Sequence, residues 1–198
     1  MRLVLSATAL STAILFAACS PAETQEAEPA PEPTPEVTET ALPETTESIP
    51  SMMNAGGTLI GSEGSEIGDI NIIEGPNGLL LRITVEPGSL EPGWHGLHMH
   101  QVGDCSDVGT FTNSGGHVGK IEGGHGLLNP AGPEGGDIPN IWVAADGSAG
   151  YEAFTSLTTG AELINEDGGA IIIHAMEDDH MSQPIGGAGP RVACGVVN

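Results

Sequence analysis

Trp94-His95-Gly96-Leu97-His98-Met99-His100 is the stretch from which the rest of this chain can be read. As an extended strand it sends successive side chains to opposite faces, so His98 and His100 emerge together and His95, of opposite parity, points the other way. Two imidazoles on one strand face are half of the tetragonal nitrogen set that copper(II) favours. Two further ligands would have to come from elsewhere in the chain. The competing reading is a strand whose histidines only bond backbone groups.

Outward from this strand, short apolar or alternating runs recur between turn signals. They occupy residues 57–60, 67–73, 79–85, 94–101, 140–145, 151–154, 170–175 and 192–197. Gly75-Pro76-Asn77-Gly78 between the second and third runs is a hairpin signal, because Asn and Gly tolerate positive φ. No long segment shows a 3.6-residue period, and 30 glycines with 15 prolines oppose helices. Eight short, regularly spaced strands predict an all-β sandwich or barrel. Two long irregular stretches interrupt them, and stretches of that length in a compact domain are usually functional. The first, between Gln101 and Ile138, is Gly-rich and holds Cys105, His117, His125, Glu134 and Asp137. The second, residues 176–190, follows His174 and carries Asp178, Asp179 and His180.

Residues 1–18 read as an export signal, with Arg2 ahead of an apolar run over residues 3–16 that is too short to span a bilayer. The ending Phe16-Ala17-Ala18-Cys19 resembles a bacterial lipoprotein lipobox, in which Cys19 is lipidated and becomes the mature N-terminus. Residues 19–57 are rich in Pro, Glu, Thr and Ala, cannot bury enough surface to offset ordering entropy, and predict an extended tether behind a lipid anchor. That leaves residues 58–198 as one domain with one core. The tether holds eight of the 27 acidic residues, so 19 remain in the domain against Arg82, Lys120 and Arg191, a formal charge of −16. Such a surface excludes nucleic acid as a partner and leaves the lipid anchor as the only membrane contact. With Cys19 assigned to the anchor, Cys105 and Cys194 form an even pair in an oxidising compartment and are expected to be bridged.

The order and spacing of several segments across residues 58–197 resemble those of bacterial exported copper,zinc superoxide dismutases. These are residues 93–100, Gly103-Asp104-Cys105, Gly115-Gly116-His117, Gly124-His125-Gly126, Gly136-Asp137-Ile138-Pro139-Asn140, Ile173-His174 and residues 189–196. The resemblance implies a Greek-key β-barrel, with copper on His98, His100, His117 and His174. It implies zinc on His117, shared between the metals, with His125 and Asp137. Asp178 corresponds to an aspartate that hydrogen-bonds a ligand histidine of each metal, and His95 to a histidine that braces loop backbone. Arg191 corresponds to the arginine that attracts and orients the substrate anion. Glu134 stands where the family has its third zinc histidine, and zinc accepts carboxylate oxygen, so Glu134 is carried as a candidate zinc ligand.

The implied reaction is dismutation of superoxide to oxygen and hydrogen peroxide, protecting the cell envelope. Copper is its redox centre, and His117 doubles as ligand and proton carrier. The resemblance also admits a homodimer, on which the sequence itself is silent. Two other readings stand beside it: a copper-buffering lipoprotein without catalysis, and a copper-only enzyme with an impaired zinc site.

Overall fold

The computed structural model describes residues 53–198, so the export signal, Cys19 and most of the tether lie outside the described residues. All eight expected strands are present. Nine segments result, because the expected fourth strand is divided: β1 (Asn54–Gly61), β2 (Glu66–Gly75), β3 (Gly78–Val85), β4 (Gly93–His95), β5 (Leu97–His100), β6 (Ile141–Val143), β7 (Ala149–Thr155), β8 (Gly169–His174) and β9 (Arg191–Val197). At Gly96 the chain changes partner: β4 pairs with β6, and β5 pairs with β8. Gly96 N meanwhile donates to Met176 O in the second long loop.

Seven antiparallel strands form one curled sheet in the order β5-β8-β9-β1-β2-β3-β7, and β4-β6 is the second sheet. β4 runs on into β5 and β6 packs beside β7, so the small sheet carries the large one towards closure. The out-of-sequence neighbours β5-β8-β9-β1 are the long connections of a Greek key. β2 and β3 form the predicted hairpin, with Gly75 opposite Gly78.

Alternation explains the core. On β3, Leu79, Leu81, Ile83 and Val85 face inward while Arg82 and Thr84 face solvent, the pattern of a sheet buried on one side. β8 differs, with all six residues buried. Its inner face, Ile171 and Ile173, joins the main core. Ala170 and Ile172 on its outer face pack under Phe111, from the Gly-rich loop, together with Cys194. The unbroken apolar run of β8 is therefore that of a strand covered on both sides.

The loop is held there by the predicted bridge between Cys105 and Cys194, whose Cα atoms are 5.8 Å apart across a sequence separation of 89. Closing a loop of that length stabilises a fold by about 4–5 kcal/mol in the chain-entropy account. Full burial of the Phe111 ring adds roughly 2–3 kcal/mol.

The domain boundary needs correction. β1 begins at Asn54, four residues before the predicted start at Thr58. Asn54 pairs opposite Ile73, and Gly56 exchanges backbone hydrogen bonds with Asn198. Asn54-Ala55-Gly56-Gly57 contains no large apolar residue, so this part of the strand is held by its ladder and leaves no hydrophobic period to read.

Candidate metal centre

β5 is buried on both faces: Leu97 and Met99 point into the core, and His98 and His100 point together to the other side. Along the open edge of β5 the Gly-rich loop docks by backbone pairing. Met99 N donates to Gly136 O, Val118 N to Met99 O, and Gln101 N to Gly116 O, which sets His117 opposite His100 and Asp137 opposite His98. The approach is close enough that a Cβ on Gly136 would lie 2.3 Å from Met99 O, so this position requires glycine. His174 ends β8, the strand paired to β5, and completes the group.

The ring nitrogens are divided with a consistent logic. His100 Nδ1 donates to Gly115 O at 2.9 Å, and His174 Nδ1 donates to Gly189 O at 2.8 Å. His98 Nε2 meets Asp178 Oδ2 at 2.7 Å. Each opposite nitrogen, namely His98 Nδ1, His100 Nε2 and His174 Nε2, is buried without a hydrogen-bond partner, as are both nitrogens of His117. Buried polar atoms are rarely left so. Ligand atoms of His98, His100 and His174 lie within 4.8 Å of one another, and the His117 ring centroid lies 4.3 Å from that of His98 and 5.2 Å from that of His100. Four imidazoles gathered in one place, each with a buried nitrogen left unpartnered, fit a copper ion.

On the far side of His117 a second group gathers. His117 Nδ1 is 2.8 Å from Glu134 Oε2 and 3.2 Å from Asp137 Oδ1, and His125 Nδ1 is 2.8 Å from Asp137 Oδ1. These atoms crowd around a common point: His117 Nδ1, His125 Nδ1 and Asp137 Oδ1 lie close together, yet none of them makes a well-formed hydrogen bond. Two imidazoles and two carboxylates are a donor set that zinc accepts. Glu134 is buried and oriented, its Oε1 accepting from Ile121 N at 3.0 Å while Oε2 faces the group. Asp137 Oδ2 is likewise tied, to the N–H groups of Gly126 and Glu134 at 2.8 Å each.

Asp178 links the two groups. Its carboxylate takes His98 Nε2 at 2.7 Å and His125 Nε2 at 3.2 Å, and it accepts from His180 N at 2.7 Å. A Cβ on Gly186, at φ 61°, would fall 1.6 Å from Asp178 Oδ1, so glycine there is what admits the carboxylate. Asn140, not singled out in the sequence as a functional residue, exchanges two hydrogen bonds with the Asp178 backbone, at 2.8 and 3.0 Å. His95 does point away from the pair, its ring nitrogens each 2.7 Å from a backbone carbonyl, His174 O and Glu91 O, so it clamps the loop before β4 to the end of β8. Arg191 donates to Phe111 O, to Ser114 Oγ at 3.0 Å and to Gly115 O at 2.8 Å, beside the four-imidazole group. The exposed Lys120 lies with its stem over Gly116, next to His117.

Burial pushes His98 down to about 3 and His174 down to about 4, and burial with the charges of His117 and Arg191 holds His100 well below its usual range. For His125 burial also lowers the value, but the adjacent carboxylates of Asp137 and Asp178 outweigh it and hold the ring up at about 9. Both aspartates lie below the carboxylate range: the nearby imidazoles of His117 and His125, with the N–H groups of Gly126 and Glu134, outweigh burial at Asp137, and the bonds from His125 and His98 outweigh it at Asp178. The depressed histidines add stability that is complete above 6.5 and lost as pH falls through about 4 for His174 and about 3 for His98, whereas that of His125 is complete below 6.5 and lost as pH rises through about 9. Denaturant midpoints of the chelator-treated domain should therefore peak near pH 6.5 and fall on both sides. A midpoint that climbs steadily to pH 9 would contradict these protonation states.

The model of the family described as copper/zinc superoxide dismutase matches residues 66–197. A Superoxide dismutase (Cu-Zn) of Caulobacter vibrioides is 44% identical over 142 residues, covering 68% of this chain and 80% of that one. A second such enzyme, from Aquifex aeolicus, is 37% identical over 151 residues, covering 73% and 86%. Among solved structures, a SOD-like protein from Bacillus subtilis aligns with a TM-score of 0.63 at 34% identity, covering 74% of this chain and 99% of that one. The Cu/Zn superoxide dismutase from Brucella abortus aligns with a TM-score of 0.61 at 26% identity, covering 74% and 100%. With the fold and both histidine groups in hand, these matches establish that the chain belongs to the copper/zinc superoxide dismutase family.

Proposed function

We propose that this protein dismutes superoxide to oxygen and hydrogen peroxide. In this reading His98, His100, His117 and His174 hold copper, while His117, His125, Asp137 and Glu134 hold zinc. The observation that carries it is the set of buried, unpartnered nitrogens on those four copper histidines, whose opposite atoms are tied down everywhere except on His117, the ring shared by both groups. Bound copper supplies the one-electron redox couple and bound zinc a fixed charge without redox chemistry.

The chain supplies the rest. Arg191 offers its positive charge beside the copper histidines, where a small anion would be drawn out of an otherwise acidic field. The carbonyls of Gly115 and Gly189 fix the tautomers of His100 and His174, so their Nε2 lone pairs face the site. His117 Nε2 has no hydrogen-bond partner, so its one lone pair would be free to hold copper or, when not holding it, to carry a proton. Asp178 keeps one ring of each group in register.

The test is pulse-radiolytic decay of superoxide with the copper- and zinc-loaded protein. Catalytic acceleration proportional to bound copper is expected. Stoichiometric copper binding without acceleration would make the protein a copper carrier.

The export signal and lipobox-like Cys19 support a lipid-anchored protein of the cell envelope, with residues 20–53 as tether. Cys19→Ser should move the protein from the membrane to the soluble fraction. Unchanged membrane retention would remove the anchor from this account.

A further inference from the structure

The hydroxyl of Ser114 belongs to neither ligand set, yet it sits where the arginine and the copper histidines meet. Ser114 is 0% exposed, and its Oγ donates to Phe111 O at 2.8 Å. That commits its one hydrogen, so towards its other neighbours Oγ can only accept. Those neighbours are Arg191 Nη1 at 3.0 Å and His100 Nδ1 at 3.2 Å. The next carbonyl, Gly115 O, takes the same two groups, Arg191 Nη2 at 2.8 Å and His100 Nδ1 at 2.9 Å. Two adjacent acceptors, one a side chain and one backbone, thus each receive one bond from the guanidinium and one from the imidazole.

We propose that Ser114 is a positioning residue that fixes the plane of the Arg191 guanidinium relative to the His100 ring, and so sets how a small anion is presented to the copper histidines. The proposal rests on the reading above of Arg191 as the anion-binding group and His100 as a ligand. Bonds to backbone carbonyls alone leave the guanidinium free to rock about them. The hydroxyl adds a side-chain contact shared with the imidazole, and hydrogen bonds to a charged donor are the stronger and more directional kind. The loop is shaped for this contact. Phe111 holds φ at 51°, a region a bulky residue seldom occupies, and its carbonyl is held there by Ser114 Oγ and Arg191 together.

The experiment titrates the copper- and zinc-loaded protein with azide, a small monovalent anion that ligates copper(II), read by charge-transfer absorption. The variants are Ser114→Ala, Ser114→Thr, Arg191→Met and the double variant Ser114→Ala/Arg191→Met, each with its metal content measured. Ser114→Ala should weaken azide binding about fivefold at unchanged copper content, and Ser114→Thr, which keeps the hydroxyl, should recover most of that. In the Arg191→Met background the Ser114→Ala change should cost less than about twofold, because the group it acts through is gone. The inference is overturned if Ser114→Ala binds azide as the unmodified protein does, or if it costs the same factor in both backgrounds. If Arg191→Met itself leaves azide affinity unchanged, the reading of Arg191 fails and this inference fails with it.

Discussion

Asp178→Ala should lower the affinity for copper and for zinc together, each by about 10- to 100-fold, with activity falling accordingly. The carboxylate hydrogen-bonds one histidine from each cluster other than the shared His117, namely His98 through Nε2 and His125 through Nε2. Removing it leaves two buried N–H groups without an acceptor, and it frees His98 to place its proton on Nδ1, the nitrogen needed for the metal. The loss would fall on both sites although Asp178 is a ligand in neither. Asp178→Asn, which retains one acceptor oxygen and loses the charge, should fall between the two. Chelator competition with each metal in turn measures this. A variant that loses zinc and keeps full copper affinity would show that His98 does not depend on Asp178.

Arg191→Glu should lower the second-order rate with superoxide about 100-fold while copper stays bound. Arg82, Lys120 and Arg191 are the cations of a domain with formal charge −16, and Arg82 is paired to Glu152 on the exposed face of β3 and β7. Screening at physiological salt confines the many surface carboxylates to about 8 Å, so the group beside the copper histidines decides the local field. Reversing that charge turns attraction into repulsion in surroundings poorer in water than open surface. The rate of the variant should therefore rise more steeply with added salt than that of the unmodified protein. Loss of copper from Arg191→Glu would instead make the residue a brace of the loop, through its bonds to Phe111 O and Gly115 O, and not a group that acts on the anion.

Much of this was legible from residue order. Short apolar or alternating runs between turn signals located every strand, and parity alone placed His98 and His100 together with His95 turned away. The Gly-rich stretch was visible as a functional loop because its residues build no periodic core face. What could not be read was set by backbone partners distant in sequence. The tautomers of His100 and His174 depend on Gly115 O and Gly189 O, both 15 residues away along the chain. The break at Gly96 follows from a change of strand partner, and the first residues of β1 are held by a ladder without apolar side chains. Ser114 gave no signal, being one small polar residue in a loop of many. Asn140 stood inside a motif already noted, but its bonds to Asp178 required the fold.

The resemblance implies a histidine where this chain has Glu134, and the central claim is that a carboxylate there completes a zinc site sharing His117 with copper. Anomalous-difference maps of crystals of the metal-loaded protein, collected at the copper and zinc edges, test it most directly. The account predicts a copper peak among His98 Nδ1, His100 Nε2, His117 Nε2 and His174 Nε2. It predicts a zinc peak bonded to His117 Nδ1, His125 Nδ1, Asp137 and Glu134 Oε2, with the Glu134 oxygen at roughly 2.0–2.2 Å. A zinc peak with Glu134 turned away from it, or copper at both positions and no zinc, would contradict the claim.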